Sequence, residues 1–505
     1  MLELKKNKKN EYKNRLEKLN KMKKKGFSFP NKFKPNYTAE KILKKFSQFN
    51  KEDLQKLKIK IKIAGRILQK RIIGKATFLS IQDNLHEIQI YVRQNDDFHH
   101  KKYKSFIKNT DIGDIISVEG KLFRTKTNQL SIYCNKVNIL TKSLRSLPEK
   151  YHGLSDPEIC FRKRYLDLIT NEKSKKKFII RSKIISEIRK FMNHHQFLEV
   201  ETPMLHTIPG GATARPFMTY HNTYHTSMYL RISPELYLKQ LIIGGFTKIF
   251  EINRNFRNEG MSFKHNPEFT MLELYMAYAN YKDMMNILKK LLQNISNKVF
   301  GTKVIKYQNQ EFDLSKPYNQ LTMKESILKY VPSIKKLDLK NFDKLIEKSK
   351  KLGIKINKNW KIGELINEIF EKIIEKKLIP PTFITQYPIE VSPLSRRNDK
   401  KKKMADRFEF FLGGFEIANG FSELNDPEDQ KKRFLEQSKL KKIGYKQVMN
   451  YDSNYITALE HGLPPTAGIG IGIDRLIMFF TNQKNIKDII LFPTMRSSNK
   501  NIISN

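Results

Sequence analysis

A chain of 505 residues with 96 basic against 51 acidic side chains has a formal net charge of +45, which suits a polyanionic partner such as nucleic acid. A composition saturated with Lys, Asn, Ile, Phe and Tyr, of the kind that A/T-rich coding produces, accounts for the charge equally well. Cys134 and Cys160 are the only cysteines and have no ligand partner nearby, which excludes a disulfide framework and a zinc site. No apolar run approaches the ~18 residues of a membrane span. The start "MLELKKNKKNEYKNRLEKLN" lacks an apolar signal core and contains Glu3, Glu11 and Glu17, so a cytoplasmic protein with no membrane partner is expected. At about 150 residues per domain, the length suits roughly two to four domains.

Residues 1–57 are lysine-rich with weak helical patterning, broken at "FPNKFKP". They predict a basic helical extension, either simply solvated or serving as an arm for RNA. From residue 58 the period becomes two, with Ile59, Ile61 and Ile63, then Ile88, Ile90 and Val92, then "DIISVEGKLF" and "QLSIYC". Short alternating runs punctuated by glycine, ending near residue 144, predict a five-stranded β-barrel of OB-fold size. Residues 145–178, rich in Pro, Gly and charge, read as a linker before a second domain at 179–505. There Ile180, Ile184, Ile188, Phe191 and Met192 mark one face of a helix, and "FLEVETP" reads as a strand stopped by Pro203. Residues 321–379 predict a mainly helical insertion, and "DKKKKM" at 399–404 an exposed loop.

Two stretches concentrate chemistry. "FEINRNFRNEGMSFKHNPEFTMLELYMAY" mixes the cations Arg254, Arg257, Lys264 and His265 with Glu251, Glu259, Glu268 and Glu273, and reads as a hairpin around Gly260 and Pro267. "DRFEFFLGGFEIANGFSEL" places Glu409, Glu416 and Glu423 at intervals of seven in an apolar setting. Buried carboxylates need a cation, which magnesium with a nucleotide or a substrate ammonium would supply, as would ordinary ion pairs. A third stretch, "GIGIGIDR" at 468–475, alternates glycine with isoleucine. Period two means a strand rather than a phosphate loop, with Ile469, Ile471 and Ile473 toward the core and a glycine floor on the other face. Asp474 is positioned to cap the following helix, and Arg475 to stand at the edge of the floor.

These stretches resemble the three motifs of class II aminoacyl-tRNA synthetases, and within that class the bacterial-type lysyl-tRNA synthetases. The helix and strand ending at Pro203 resemble motif 1, "FRNEGMSFKHNPEF" resembles motif 2 and "GIGIGIDR" motif 3. The resemblance covers residues 58–496 and implies an α+β chain, an OB-fold anticodon-binding barrel at 58–144 followed by a catalytic domain built on a mainly antiparallel sheet flanked by helices. The implied activity is attachment of lysine to tRNA(Lys) through lysyl-adenylate, with ATP as substrate, Mg²⁺ (more than one ion) as cofactor and a homodimer formed through motif 1.

By the same resemblance, Arg257, Glu259, His265 and Arg475 carry catalysis, and ATP meets Arg257, Glu259, Lys264, His265, Asn266, Phe269, Glu409, Gly470, Gly472 and Arg475. Lysine meets Gly211, Glu235, Arg257, Glu273, Tyr275, Asn419, Phe421 and Glu423, while Glu409 and Glu416 hold the metal. Phe78, Gln89 and Arg71 read the anticodon, although Phe78 alone would pass for a barrel core residue. An aspartyl- or asparaginyl-type synthetase and a catalytically inactive RNA-binding relative are the alternatives. The acidic residues Glu235, Glu273 and Glu423 count against the first, and the intact Arg257, Glu259, Phe269 and Arg475 against the second.

Overall fold

The computed structural model describes residues 2–57, 59–94, 100–148, 156–442 and 449–496, so residues 149–155 of the expected linker lie outside the described residues. The chain forms two compact units, Met1–Lys176 and Lys177–Asn505.

In the first unit, β1 (Ile61–Ile73), β2 (Ala76–Asp83), β3 (His86–Arg93), β4 (Ile115–Arg124) and β5 (Leu130–Thr141) close into a barrel in the order β1-β2-β3-β5-β4. The period of two explains it: Ile61, Ile63, Leu79, Ile81, Ile88, Ile90 and Val92 all point inward and are buried. The N-terminal extension is helical as expected, but it is not solvated on every side. Its helix Leu2–Lys24 docks on the unit through Arg15, which is buried and donates to the carbonyls of Ile112 (2.9 Å) and Ser143 (3.2 Å), and through a Lys18–Asp111 pair at 2.7 Å. Part of the expected linker is also helical, at Pro157–Arg162 and Arg164–Thr170.

The second unit begins inside the helix Glu172–His194, whose Ile184, Ile188, Phe191 and Met192 are buried as the 3.6-residue period requires. The strand expected from "FLEVETP" is shorter, only β6 (Leu198–Glu199), because it pairs in parallel at a sheet edge and leaves the ladder before Pro203. Then come a small sheet of β7 (Leu205–His206), β8 (Met218–His221) and β9 (Thr226–Leu230), and the helix Glu235–Ile243. The predicted hairpin follows as β10 (Lys248–Phe256) and β11 (Glu268–Ala277), paired in register from Lys248–Met276 to Phe256–Glu268.

After a two-stranded hairpin, β12 (Val304–Tyr307) and β13 (Gln310–Asp313), the chain supplies β14 (Asn319–Thr322), β15 (Thr382–Thr385), β16 (Arg407–Leu412), β17 (Phe415–Ser422) and β18 (Thr466–Gly472). The resulting eight-stranded sheet runs β14-β15-β16-β17-β18-β11-β10-β6 and is antiparallel except at its two ends. Parallel β14 and β15 need a long crossover, and the helical segment between them, with its own core of Ile327, Leu345, Leu365 and Ile369, serves as one. The helices Glu172–His194, Tyr281–Phe300 and Ile473–Phe480 contribute to the main apolar core with the sheet, which leaves the other face for the site. No helix among the described residues is long and apolar enough to cross a membrane.

Candidate active site

A cavity of about 350 Å³ opens on the sheet, and every residue expected to meet lysine or ATP lines it except Glu409. The register of β18 shows why. Gly470 lies between Glu273 on β11 and Asn419 on β17, and Gly468 between Tyr275 and Phe421. Ile469 and Ile471 face the core and are buried, as alternation demands, while Ile473, expected on the same strand, is buried as the first residue of the helix Ile473–Phe480. The glycine floor is not uniformly open, however. A Cβ on Gly468 would stand 2.5 and 2.7 Å from Tyr275 ring carbons and closer still to a Glu423 oxygen, so glycine is required there by protein side chains. At Gly472 the nearest atoms would be 3.7 Å away, and the floor is free.

At the hairpin end, Arg257 is half-buried with its guanidinium 5.1 Å from the Phe269 ring centroid, and its buried Nε has no hydrogen-bond partner among the described residues. Burial pulls the Arg257 pKa down, opposed by Glu416 and Glu259. Arg475 donates to the Glu416 carbonyl (2.8 Å) and Oε2 (3.0 Å) and lies 3.2 Å from His265 Nε2. His265 is not the cation its neighbours suggested. Burial, then Arg475 and Lys264, push it down to about 4, so it is neutral at pH 7. Lys264 reaches Glu375 at 2.7 Å. Asn266 is buried, donates to the Glu268 carbonyl (2.6 Å) and leaves its Oδ1 without a partner. Asp474 does not cap the helix Ile473–Phe480, which has no side-chain cap. It accepts instead from the Thr270 amide (2.8 Å) and Arg181 (2.6 Å), tying the hairpin and the helix Glu172–His194 to the helix Ile473–Phe480.

The opposite end is acidic. Glu235 opens its helix, and Gly211, in the left-handed region at φ 81°, brings the chain against Ser233 and Glu235. Glu273 accepts from Ser233 (3.1 Å) and Tyr275 (3.2 Å), and burial, then the Glu235 charge, push it up to about 7. Glu423 is fully buried, and neither oxygen accepts a directed hydrogen bond among the described residues. Two side chains that sequence reasoning missed complete this end. Lys239 forms ion pairs with Glu235 (2.7 Å) and Glu423. Arg407 donates to Asn419 (3.2 Å) and Glu409 (2.6 Å) and stacks on Tyr387 at 4.5 Å. The i,i+4 spacing of Glu235 and Lys239 was a readable signal; Arg407 had none.

Glu409 and Glu416 are neighbouring carboxylates. Burial and the Glu416 charge outweigh Arg407 and push Glu409 up to about 8. Burial opposes ionisation of Glu416 too, but Arg475 and Arg407 hold it below its usual value. No group of three or more His, Cys, Asp or Glu able to hold a metal occurs among the described residues. A pair of mutually repelling carboxylates still fits a cation whose remaining ligands are phosphate oxygens and water.

On the barrel, Phe78 lies on the outer face. Its neighbours Thr77 and Leu79 are buried, while Phe78 is half-exposed, so it is not a core residue. Arg71 stands directly opposite it on β1, and Gln89 on β3 accepts from Ser131 at 2.9 Å. Tyr91 continues the platform, 5.0 Å from Phe78 and 5.6 Å from both Phe123 and Tyr133.

A family profile described as tRNA synthetases class II (D, K and N) matches residues 156–496, and one described as OB-fold nucleic acid binding domain matches 61–140. Among similar curated proteins, the lysine–tRNA ligase of Buchnera aphidicola subsp. Acyrthosiphon pisum (strain APS) is 56% identical over 97% of both chains. That of Buchnera aphidicola subsp. Schizaphis graminum (strain Sg) is 57% identical over 96% of both, and that of Erwinia tasmaniensis 53% over 97% of both. With that identity along nearly the whole length, on a class II sheet and a five-stranded barrel, the chain belongs to the class II tRNA synthetases, in the lysine–tRNA ligase family.

Proposed function

We propose that this chain joins lysine to tRNA(Lys). In the first step a lysine carboxylate oxygen attacks the α-phosphorus of ATP in line and pyrophosphate leaves, giving lysyl-adenylate. A hydroxyl at the 3′ end of the tRNA then attacks the activated carbonyl, and AMP leaves. The observation that carries the reading is the polarity of the cavity, with Arg257 and Arg475 at one end and the buried acids Glu235, Glu273 and Glu423 at the other. A substrate with a carboxylate and two ammonium groups satisfies both ends, and removal of either partner leaves a buried charge unpaired. An acidic or amide substrate brings no second ammonium to these three acids, which disfavours an aspartyl- or asparaginyl-type reaction.

Positioning and charge neutralisation do the chemical work, without a nucleophilic side chain. Arg257 spans the lysine carboxylate and the α-phosphate; its unpartnered Nε supports that role. Asn419, oriented by Arg407, helps hold the carboxylate, and Phe421 packs the aliphatic stem. Gly211 and Glu235 meet the α-ammonium, while Tyr275 and Glu423 meet the ε-ammonium, with Glu273 nearby. Glu259 and Phe269 take adenine over Gly470 and Gly472, and Asn266, His265, Lys264 and Arg475 face the phosphates. Glu409 and Glu416 would hold Mg²⁺, which neutralises phosphate charge when bound. On the barrel, Phe78, Arg71 and Gln89 receive the anticodon, as an exposed aromatic beside polar side chains suits an unstacked base. The active form is a homodimer through motif 1, working in the cytoplasm.

ATP–pyrophosphate exchange with a panel of amino acids tests the reading. Exchange driven by lysine supports it; exchange driven by aspartate or asparagine, or by none, overturns it.

A further inference from the structure

Lys239 is the one cation that forms ion pairs with the acids of this end of the cavity among the described residues, and it does not itself line the cavity. Its side chain is fully buried, backs the helix Glu235–Ile243, and is gripped by Glu235 one turn earlier and by Glu423 just beyond β17. Its ammonium also lies 5.5 Å from the Phe421 ring and 5.9 Å from the Tyr455 ring. Glu273 takes only hydroxyl and amide donors, from Ser233, Tyr275 and Asn255.

Three buried carboxylates thus share one built-in ammonium, which leaves a charge deficit that a dicationic substrate can fill. We propose that Lys239 is the positioning residue that sets amino-acid specificity: as a fixed counter-cation behind Glu235 and Glu423, it orients both acids and trims the pocket to the charge of a dicationic amino acid. The inference rests on the proposed lysine site. Burial of an ammonium without partners would strip its proton, and the two acids more than reverse that tendency, so Lys239 stays charged. The groups facing this cluster are Glu273 and Tyr275 on β11, Arg407 on β16, and Tyr455 on the helix Ser453–Glu460.

Lys239→Met is the test. Without the ammonium, Glu235 and Glu423 hold protons at neutral pH and accept a substrate ammonium poorly. The lysine KM in the exchange assay should rise about 10- to 100-fold at pH 7, with the ATP KM little changed, and should recover as pH rises toward 9. A folded variant whose lysine KM and pH profile match the parent overturns the proposal. If Lys239→Met does not fold, Lys239→Met/Glu423→Gln decides, because removing one acid restores the charge deficit. Recovery of the folded state supports the counter-cation role, and a double variant as unfolded as the single one overturns it. Melting temperature against pH separates this idea from the lysine assignment: the single variant should lose stability relative to the parent from pH 6 to 9 whatever amino acid the parent activates. Failure of the parent to use lysine refutes the assignment instead.

Discussion

Replacing Gly468 by alanine probes the cavity at its tightest point. Ordinary carbon contacts are about 3.5–4.0 Å, so a methyl group 2.5 and 2.7 Å from the Tyr275 ring overlaps it by about 1 Å. Tyr275 and Glu423 are both buried, and Tyr275 is hydrogen-bonded to Glu273, so neither has room to yield freely. Overpacking of this kind costs about 1–3 kcal/mol. If the strain is relieved by displacing the two side chains proposed to meet the ε-ammonium, the lysine KM rises about 5- to 150-fold. Gly472→Ala is the matched control, since its methyl meets nothing closer than 3.7 Å. It should leave the lysine KM within about twofold and raise the ATP KM. Exchange kinetics with each substrate varied, alongside melting curves, reads both. A Gly468→Ala enzyme with unchanged lysine KM, or a Gly472→Ala enzyme damaged chiefly in lysine KM, would refute the division of the floor.

Glu423→Gln should raise the lysine KM far more than the ATP KM, by about 1–3 kcal/mol as for a lost charged hydrogen bond; an unchanged lysine KM removes Glu423 from the pocket. Glu273, raised to about 7, should make lysine binding improve as pH climbs through that value. The linkage sign follows from the raised pKa: its contribution to stability is full below the ordinary carboxylate value near 4.5 and is lost as pH rises toward 7. Glu273→Gln should flatten both profiles, in KM and in melting temperature, and persistence of either assigns it to another group. Phe78→Ala should impair charging of full-length tRNA(Lys) while sparing adenylate formation, and equal loss of both would count against an anticodon role.

Local periodicity carried most of the architecture. Alternating isoleucines mark the barrel strands and β18, and a 3.6-residue period marks the helix Glu172–His194, because backbone geometry alone decides which side chains share a face. The motif residues were legible through the family resemblance, since Arg257 to Phe269 and Gly468 to Arg475 are each contiguous. Contacts between distant segments were not. Asp474 reads as a helix cap, yet it lies inside the first turn and Thr270, 204 residues away, claims one of its oxygens. His265 reads as a cation in sequence and becomes neutral because folding partly desolvates it and sets it beside Arg475 and Lys264. The docking of the N-terminal helix was not legible either, because Arg15 donates to carbonyls 97 and 128 residues further on.

By itself, then, the sequence determined the class, through its motifs, the two-part architecture and most of the charged residues that line the cavity. Tertiary structure alone decided their electrostatic state. Ionisation depends on desolvation and on charges brought together across the sheet, and neither is a property of any contiguous stretch. Lys239 is the clearest case. In sequence it is one lysine among many, and in the fold it is a buried ammonium held between two acids 188 residues apart, Glu235 and Glu423.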